Sequence, residues 1–163
     1  LLRDLGELEA ENDIIIIDTG AGIGPDVLQF AAAGDNVLVV TMPEPTAITD
    51  AYAMIKVLSQ RGYSGHLSLL VNQAGDRHQA RLTYERISGV AWQFLGAKVF
   101  DAGFIPADPK VQEAVRRREP FVLAFPKCPA ARCLASLATK LSAAGGLAEP
   151  KEGFFRRVAS WFA

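Results

Sequence analysis

The sequence predicts an α/β fold, a mostly parallel sheet covered by helices. Three observations predict it. Apolar runs recur at 13–18, 36–41, 66–72 and 98–105, the first two rich in β-branched residues. Each is followed by a segment with apolar residues at helical spacing. The connections are short and marked by Gly and Pro, as in alternating strand–helix folds.

The first strand is Asp13-Ile-Ile-Ile-Ile-Asp18, four β-branched residues bounded by acids, the pattern of a strand buried on both faces. Thr19 to Gly24 break it, and Pro25 opens a short helix. Val27, Leu28 and Phe30 give that helix an apolar side, and Gly34-Asp35 ends it. Asn36–Thr41 is a second buried strand, stopped by Met42-Pro-Glu-Pro45 because proline cannot donate to a ladder. Thr46 is the expected N-cap of the next helix. Ile48, Ala51, Tyr52, Ile55 and Leu58 form its buried stripe, and Gly62 closes it.

His66–Asn72 is the third strand. A polar loop through Gly75 and Asp76 leads to a helix over 79–95, with Tyr84, Ile87, Ala91, Phe94 and Leu95 on its apolar face and Trp92 expected in the core. Lys98–Ile105 is the fourth strand, ended by Pro106. A short helix over 109–118 stops at Glu119-Pro120, and a last packed helix covers 130–143. Arg116-Arg-Arg118 sits at a helix C-terminus, where cations offset the helix dipole.

Composition narrows the function classes. Half of the 163 residues are hydrophobic and 21% are charged, which excludes a disordered chain and fits one domain with a real core. The formal net charge of −1 argues against a whole-molecule nucleic-acid binder, and no direct nucleic-acid partner is expected. Cys128 and Cys133 are too few for a disulfide framework and lack zinc-ligand spacing with His66 and His78, so a reducing compartment is expected. No apolar run approaches the roughly 18–20 residues of a membrane span. Acidic residues interrupt the start, as no signal peptide allows. The first residue is Leu, which points to a fragment.

In open parallel sheets, ligands bind outside the carboxyl ends of the strands. Here those ends carry Asp18 with Gly20 and Gly22, then Met42-Pro-Glu44, then Asn72, then Pro106 and Asp108. An acid ending an apolar strand needs a partner, and a magnesium ion held through water would serve Asp18. The glycines after it would let backbone N–H groups approach a phosphate. The same spacing also fits a plain βα turn in which Asp18 caps the following helix. Asn72 can pair with both a donor and an acceptor on a purine edge, or simply end a strand. Glu44 between two prolines is held extended, for a rigid contact or an ordinary surface loop. Pro106 and Asp108, taken singly, are ordinary loop residues. The phosphate-loop sequence G-x-x-x-x-G-K-[ST] is absent, since no Gly-Lys dipeptide occurs.

Asp13-Ile-Ile-Ile-Ile-Asp-Thr-Gly-Ala-Gly-Ile23 resembles the Walker B and switch II segment of the MinD/ParA class of P-loop ATPases. Val40-Thr-Met-Pro-Glu-Pro-Thr-Ala-Ile-Thr-Asp-Ala-Tyr52 is more specific and looks like the FlhG (FleN, YlxH) flagellar-number branch. Val111-Gln-Glu-Ala-Val-Arg-Arg-Arg-Glu-Pro-Phe121 fits the same branch. The resemblance covers about 5–163. It implies the deviant Walker A (SIMIBI) type of P-loop NTPase fold, with ATP and Mg2+ as cofactors. It implies a homodimer formed on ATP binding and dissolved by hydrolysis.

By the same resemblance Asp18 is the Walker B acid that holds magnesium through water, and the switch II glycine is Gly22. Gly20 belongs to the same turn. Asn72, Pro106 and Asp108 match the adenine pocket, and Glu44 the loop near nucleotide and dimer face. The Walker A loop with its lysines and switch I have no counterpart here. An N-terminally truncated chain is therefore expected, inactive by itself, whose full-length parent is an ATPase. The implied partners are an FlhF-type GTPase and flagellar switch or regulatory proteins. A cell-division MinD-type ATPase and a non-catalytic interaction module are the alternatives.

The expected organisation is 1–143 as the C-terminal part of the ATPase domain, 144–152 as a small-residue linker and 153–163 as an amphipathic helix. Phe154, Phe155, Val158, Trp161 and Phe162 fall at i, i+1, i+4, i+7 and i+8, one helix face, with Arg156, Arg157 and Ser160 away from it. Aromatics opposite arginines suit a helix lying in a membrane interface, or one docked on the domain's own core. The expected localisation is cytoplasmic, peripheral on the inner face of the cell membrane.

Overall fold

A computed structural model describes residues 11–145 of the chain. The expected linker beyond 145 and the aromatic segment with Phe154, Phe155, Val158, Trp161 and Phe162 lie outside the described residues. Three parallel strands, β1 (Asn36–Thr41), β2 (His66–Ala74) and β3 (Phe100–Pro106), form one sheet in the order β1-β2-β3. The helices are α1 (Pro25–Ala33), α2 (Pro45–Gln60), α3 (Arg77–Leu95), α4 (Pro109–Arg117), α5 (Phe121–Ala124) and α6 (Pro129–Gly145). Each strand runs parallel to the next because a helix carries the chain back across the sheet, as the alternating pattern requires.

The core sits between the sheet and α2–α3. Val39, Leu67, Leu69 and Val99 meet Ala51, Ile55 and Leu58 of α2 and Ile87 and Ala91 of α3. The predicted stripe of α2 is thus the buried one. Its N-cap is Glu44, not Thr46, because Pro45 already occupies the first helical position. Gly62 follows the helix with φ +75°, a backbone conformation that suits glycine.

Further expectations fail. Asp13–Asp18 forms no strand: Ile14 to Ile17 pair with no neighbour in the three-stranded sheet, and Ile16 is 82% exposed. A strand buried on both faces needs a hydrogen-bonded neighbour and two covering layers, and the described residues supply neither. Trp92 and Phe94 are not in the core but 65% and 68% exposed. Trp92 lies off the buried stripe of α3. Phe94 shares the face of Ile87 and Ala91 by spacing, but it stands in the helix's last turn. In that turn it is Leu95, not Phe94, that packs against the core.

On the far side of β3, α6 begins beside the strand's carboxyl end. Asp108 Oδ2 accepts from the Ala130 N–H, and Ile105 packs against Cys128, Ala130 and Ala131. The helix then runs back along β3. The small helix α5, absent from the sequence reading, fills the turn between α4 and α6.

Candidate functional site

The carboxyl ends of the three strands gather four of the predicted residues on one side of the molecule. At β1, the buried hydroxyl of Thr41 donates to the Ala47 carbonyl at 2.9 Å and ties the strand end to the start of α2. This bond shapes the Pro43-Glu44-Pro45 loop, and Glu44 stands exposed at the helix start with extended backbone.

At β2, Asn72 is half-buried and its Oδ1 accepts the Gln73 N–H at 2.9 Å. The side-chain amide nitrogen can still donate. Gln73 has φ +54°, and the pairing with β3 shifts register between Val71 and Ala74. A bulge and a left-handed non-glycine residue thus end the strand. Such irregularities concentrate beside functional sites. The sequence reading missed Gln73, since no residue type there signals positive φ. The Ala107 N–H donates to the Ala74 carbonyl at 2.8 Å and joins the ends of β2 and β3.

At β3, Pro106 closes the strand and Asp108 caps α4. Asp108 Oδ1 accepts the Lys110 N–H at 2.9 Å, and its Oδ2 takes that of Ala130. These two backbone bonds, Lys110 first, hold the carboxyl below the usual carboxylate range. Beyond the cap, Glu113 pairs with Lys110 at 2.7 Å and with Arg117, and the Lys110 bond chiefly holds its carboxyl below the usual range as well. Arg116 and Arg117 occupy the last turn of α4, where cations belong.

Asp18, Gly20 and Gly22 are exposed and precede α1. Gly22 has φ +96°, so a side chain there would be strained although nothing crowds the position. The donor set can be weighed against the implied ATP and Mg2+. Among the described residues no three His, Cys, Asp or Glu side chains cluster as a metal cage. A single carboxylate such as Asp18 fits magnesium, which keeps most of its waters and takes phosphate oxygens as further ligands. Asn72, Pro106 and Asp108 stand at adjacent strand ends, which the Ala107 to Ala74 backbone bond joins.

No protein-family model matches the chain. It is 33% identical over 141 residues to the antiactivator FleN of Pseudomonas aeruginosa, covering 86% of this chain and 50% of that protein. It is 35% identical over 153 residues to the flagellum site-determining protein YlxH of Helicobacter pylori, covering 90% of this chain and 51% of that protein. The chain belongs to the MinD/ParA family, on its FlhG/FleN branch. The fold agrees: the MinD cell division protein of Aquifex aeolicus superposes with a TM-score of 0.66 at 25% identity, over 93% of this chain and 61% of that one. The chain spans about half the length of the relatives it matches. Among the described residues no helix is long and apolar enough to cross a membrane.

Proposed function

We propose that this chain is the carboxyl-proximal part of an ATP-driven switch that sets flagellar number or placement. The observation that carries this reading is the likeness to a flagellum site-determining protein along 90% of the chain. The carboxyl-end cluster of Glu44, Asn72, Pro106 and Asp108 supports it, because that is where a nucleotide would lie in a parallel sheet.

In this reading the phosphate loop is supplied by sequence not contained in the 163 residues. Asp18 holds the waters of a magnesium ion, and the Gly22 amide meets the terminal phosphate. Asn72 donates to the base, while Pro106 and the Asp108-capped turn form its floor. Bound ATP supplies a phosphate whose presence or loss the glycine turn can sense. Glu44, rigid between its prolines, lies at the nucleotide-bridged dimer face. Hydrolysis belongs to the longer protein, and the fragment alone is inactive.

Membrane residence follows from the dimer. One short aromatic segment binds a bilayer reversibly, and two on one dimer bind far better through effective concentration. The protein is then cytoplasmic and peripheral on the inner membrane face, with an FlhF-type GTPase and flagellar switch or regulatory proteins as partners. Equilibrium dialysis tests the nucleotide claim on the protein extended to its relatives' length. Mg-ATP should bind, Asn72→Ala should weaken it about tenfold through the lost base contact, and Asp18→Ala should remove the magnesium dependence. No binding by the extended wild type would leave only an interaction module.

A further inference from the structure

Thr41 and Thr83 are the polar residues buried among the described ones. They use their hydroxyls differently. Thr83 Oγ1 donates to the Gln79 carbonyl at 2.9 Å, one turn back in its own helix, a local bond that ties no other element. Thr41 Oγ1 crosses a loop. It donates to the Ala47 carbonyl, six residues on and in the first turn of α2. The Met42 carbonyl lies 3.4 Å from the same oxygen. Thr41 itself ends β1 in register with Val71 of β2, so the sheet fixes its backbone.

The first turn of α2 has little else to hold it to the sheet. The buried residues of that helix begin at Ala51 and continue with Ile55 and Leu58. Before them Glu44, Pro45, Thr46, Thr49 and Asp50 are exposed, and Ile48 only touches the edge of the core. Two further bonds shape the turn: the Ile48 N–H donates to the Glu44 carbonyl at 2.9 Å, and Thr49 Oγ1 donates to the Pro45 carbonyl at 2.9 Å. Both lie within the helix start, so neither fastens it to β1. The Thr41 hydroxyl does. Pro43 and Pro45 stiffen the chain on either side of Glu44. A shift of the turn therefore carries Glu44 with it instead of being absorbed in the loop.

We propose that Thr41 is a positioning residue for the nucleotide-driven dimer. Its hydroxyl holds the first turn of α2 against the end of β1 and so presents Glu44 at the dimer face. A contact between two copies gains affinity when its groups are already in place. Without the hydroxyl the turn has to be ordered at the moment of association, and dimerisation weakens. Nucleotide binding to a single copy does not change. Asn72, Pro106 and Asp108 stand at the ends of β2 and β3 and are held there by other bonds. Thr41 is buried and touches neither nucleotide nor partner, so it acts through Glu44. The inference rests on the proposed place of Glu44 at the dimer face.

The test uses the protein extended to its relatives' length, with sedimentation velocity in Mg-ATP and equilibrium dialysis of Mg-ADP. Thr41→Val removes the donor and keeps the bulk of the side chain. It should weaken the ATP-dependent dimer about tenfold, the size of one net hydrogen bond, and leave the affinity for Mg-ADP unchanged. Thr41→Ser keeps the hydroxyl and should dimerise as the wild type does. Glu44→Ala should weaken the dimer as well. Adding Thr41→Val to Glu44→Ala should then cost little more, because both changes remove the same contact. A Thr41→Val protein that dimerises like the wild type would overturn the positioning role, as would additive losses in the double variant or a Thr41→Ser protein as weak as Thr41→Val. Lost Mg-ADP affinity in Thr41→Val would mean that the strand end itself is damaged, which also overturns it. Normal dimers of Glu44→Ala would take Glu44 off the dimer face and end this inference while the nucleotide-driven dimer stands. A wild type without dimers in Mg-ATP would sink the dimer reading and this inference with it.

Discussion

Asp108 Oδ2 accepts the backbone N–H of Ala130 at 3.2 Å, although 22 residues separate the two in sequence. One carboxylate thereby caps α4 and fixes the start of α6, so the turn beside the predicted base pocket and the return helix share a fastening. Two backbone N–H groups lose their partner if it is removed.

Asp108→Ala should therefore lower stability by about 1–2 kcal/mol, the usual cost of a lost cap, read as a shift in the urea midpoint. Because the folded carboxyl is held below its ordinary range, its contribution is present above about pH 4 and is lost as pH falls further, through the folded value. The difference between wild type and Asp108→Ala should shrink in acid. A constant difference down to pH 2 would contradict the capping account.

Gln73 holds φ +54° at the end of β2. Replacing it with glycine removes the cost of a side chain in that region, so Gln73→Gly should be neutral or stabilising by up to about 1 kcal/mol. Gln73→Val should be clearly destabilising, since a β-branched residue tolerates this conformation least. Thermal denaturation of the pair checks both signs.

Ile55 is fully buried between α2 and the sheet. Ile55→Ala should cost about 2–4 kcal/mol through lost burial and the cavity left behind. An effect under about 1 kcal/mol would mean that α2 is not docked as described.

Ile16 gives the opposite test. At 82% exposure it stabilises nothing within the described fold. Ile16→Lys should leave the 163-residue chain's stability unchanged and reduce its self-association, because an unpaired apolar stretch invites edge-to-edge pairing. In the protein extended to its relatives' length, where this stretch gains neighbours, the same substitution should destabilise by several kcal/mol, the penalty for an unpaired buried charge. Light scattering on one and denaturant titration on the other separate the two predictions.

Much of the fold was legible because its elements satisfy themselves locally. The apolar runs at 36–41 and 66–72 find each other as parallel neighbours, and the stripe Ala51, Ile55, Leu58 needs only the sheet beneath it. Gly62 and Pro106 mark ends by their own backbone chemistry. What sequence could not give depends on distant parts. Ile14 to Ile17 have strand composition, but a strand exists only with a partner. Phe94 has core spacing, but in the helix's last turn Leu95 takes the place against the core. At the candidate site, Glu44, Asn72, Pro106 and Asp108 were named from strand ends and family likeness. The bulge at Gln73 and the bond from Ala130 arise from tertiary register, which no local pattern encodes.

The central claim is a nucleotide-driven dimer, and sedimentation velocity on the relatives-length protein with Mg-ATP or Mg-ADP tests it most directly. With Asp18→Asn alongside to suppress the magnesium contact, the account predicts a dimer for the wild type in ATP, a monomer in ADP, and a monomer for the variant in both. A wild type that sediments identically with either nucleotide would contradict it.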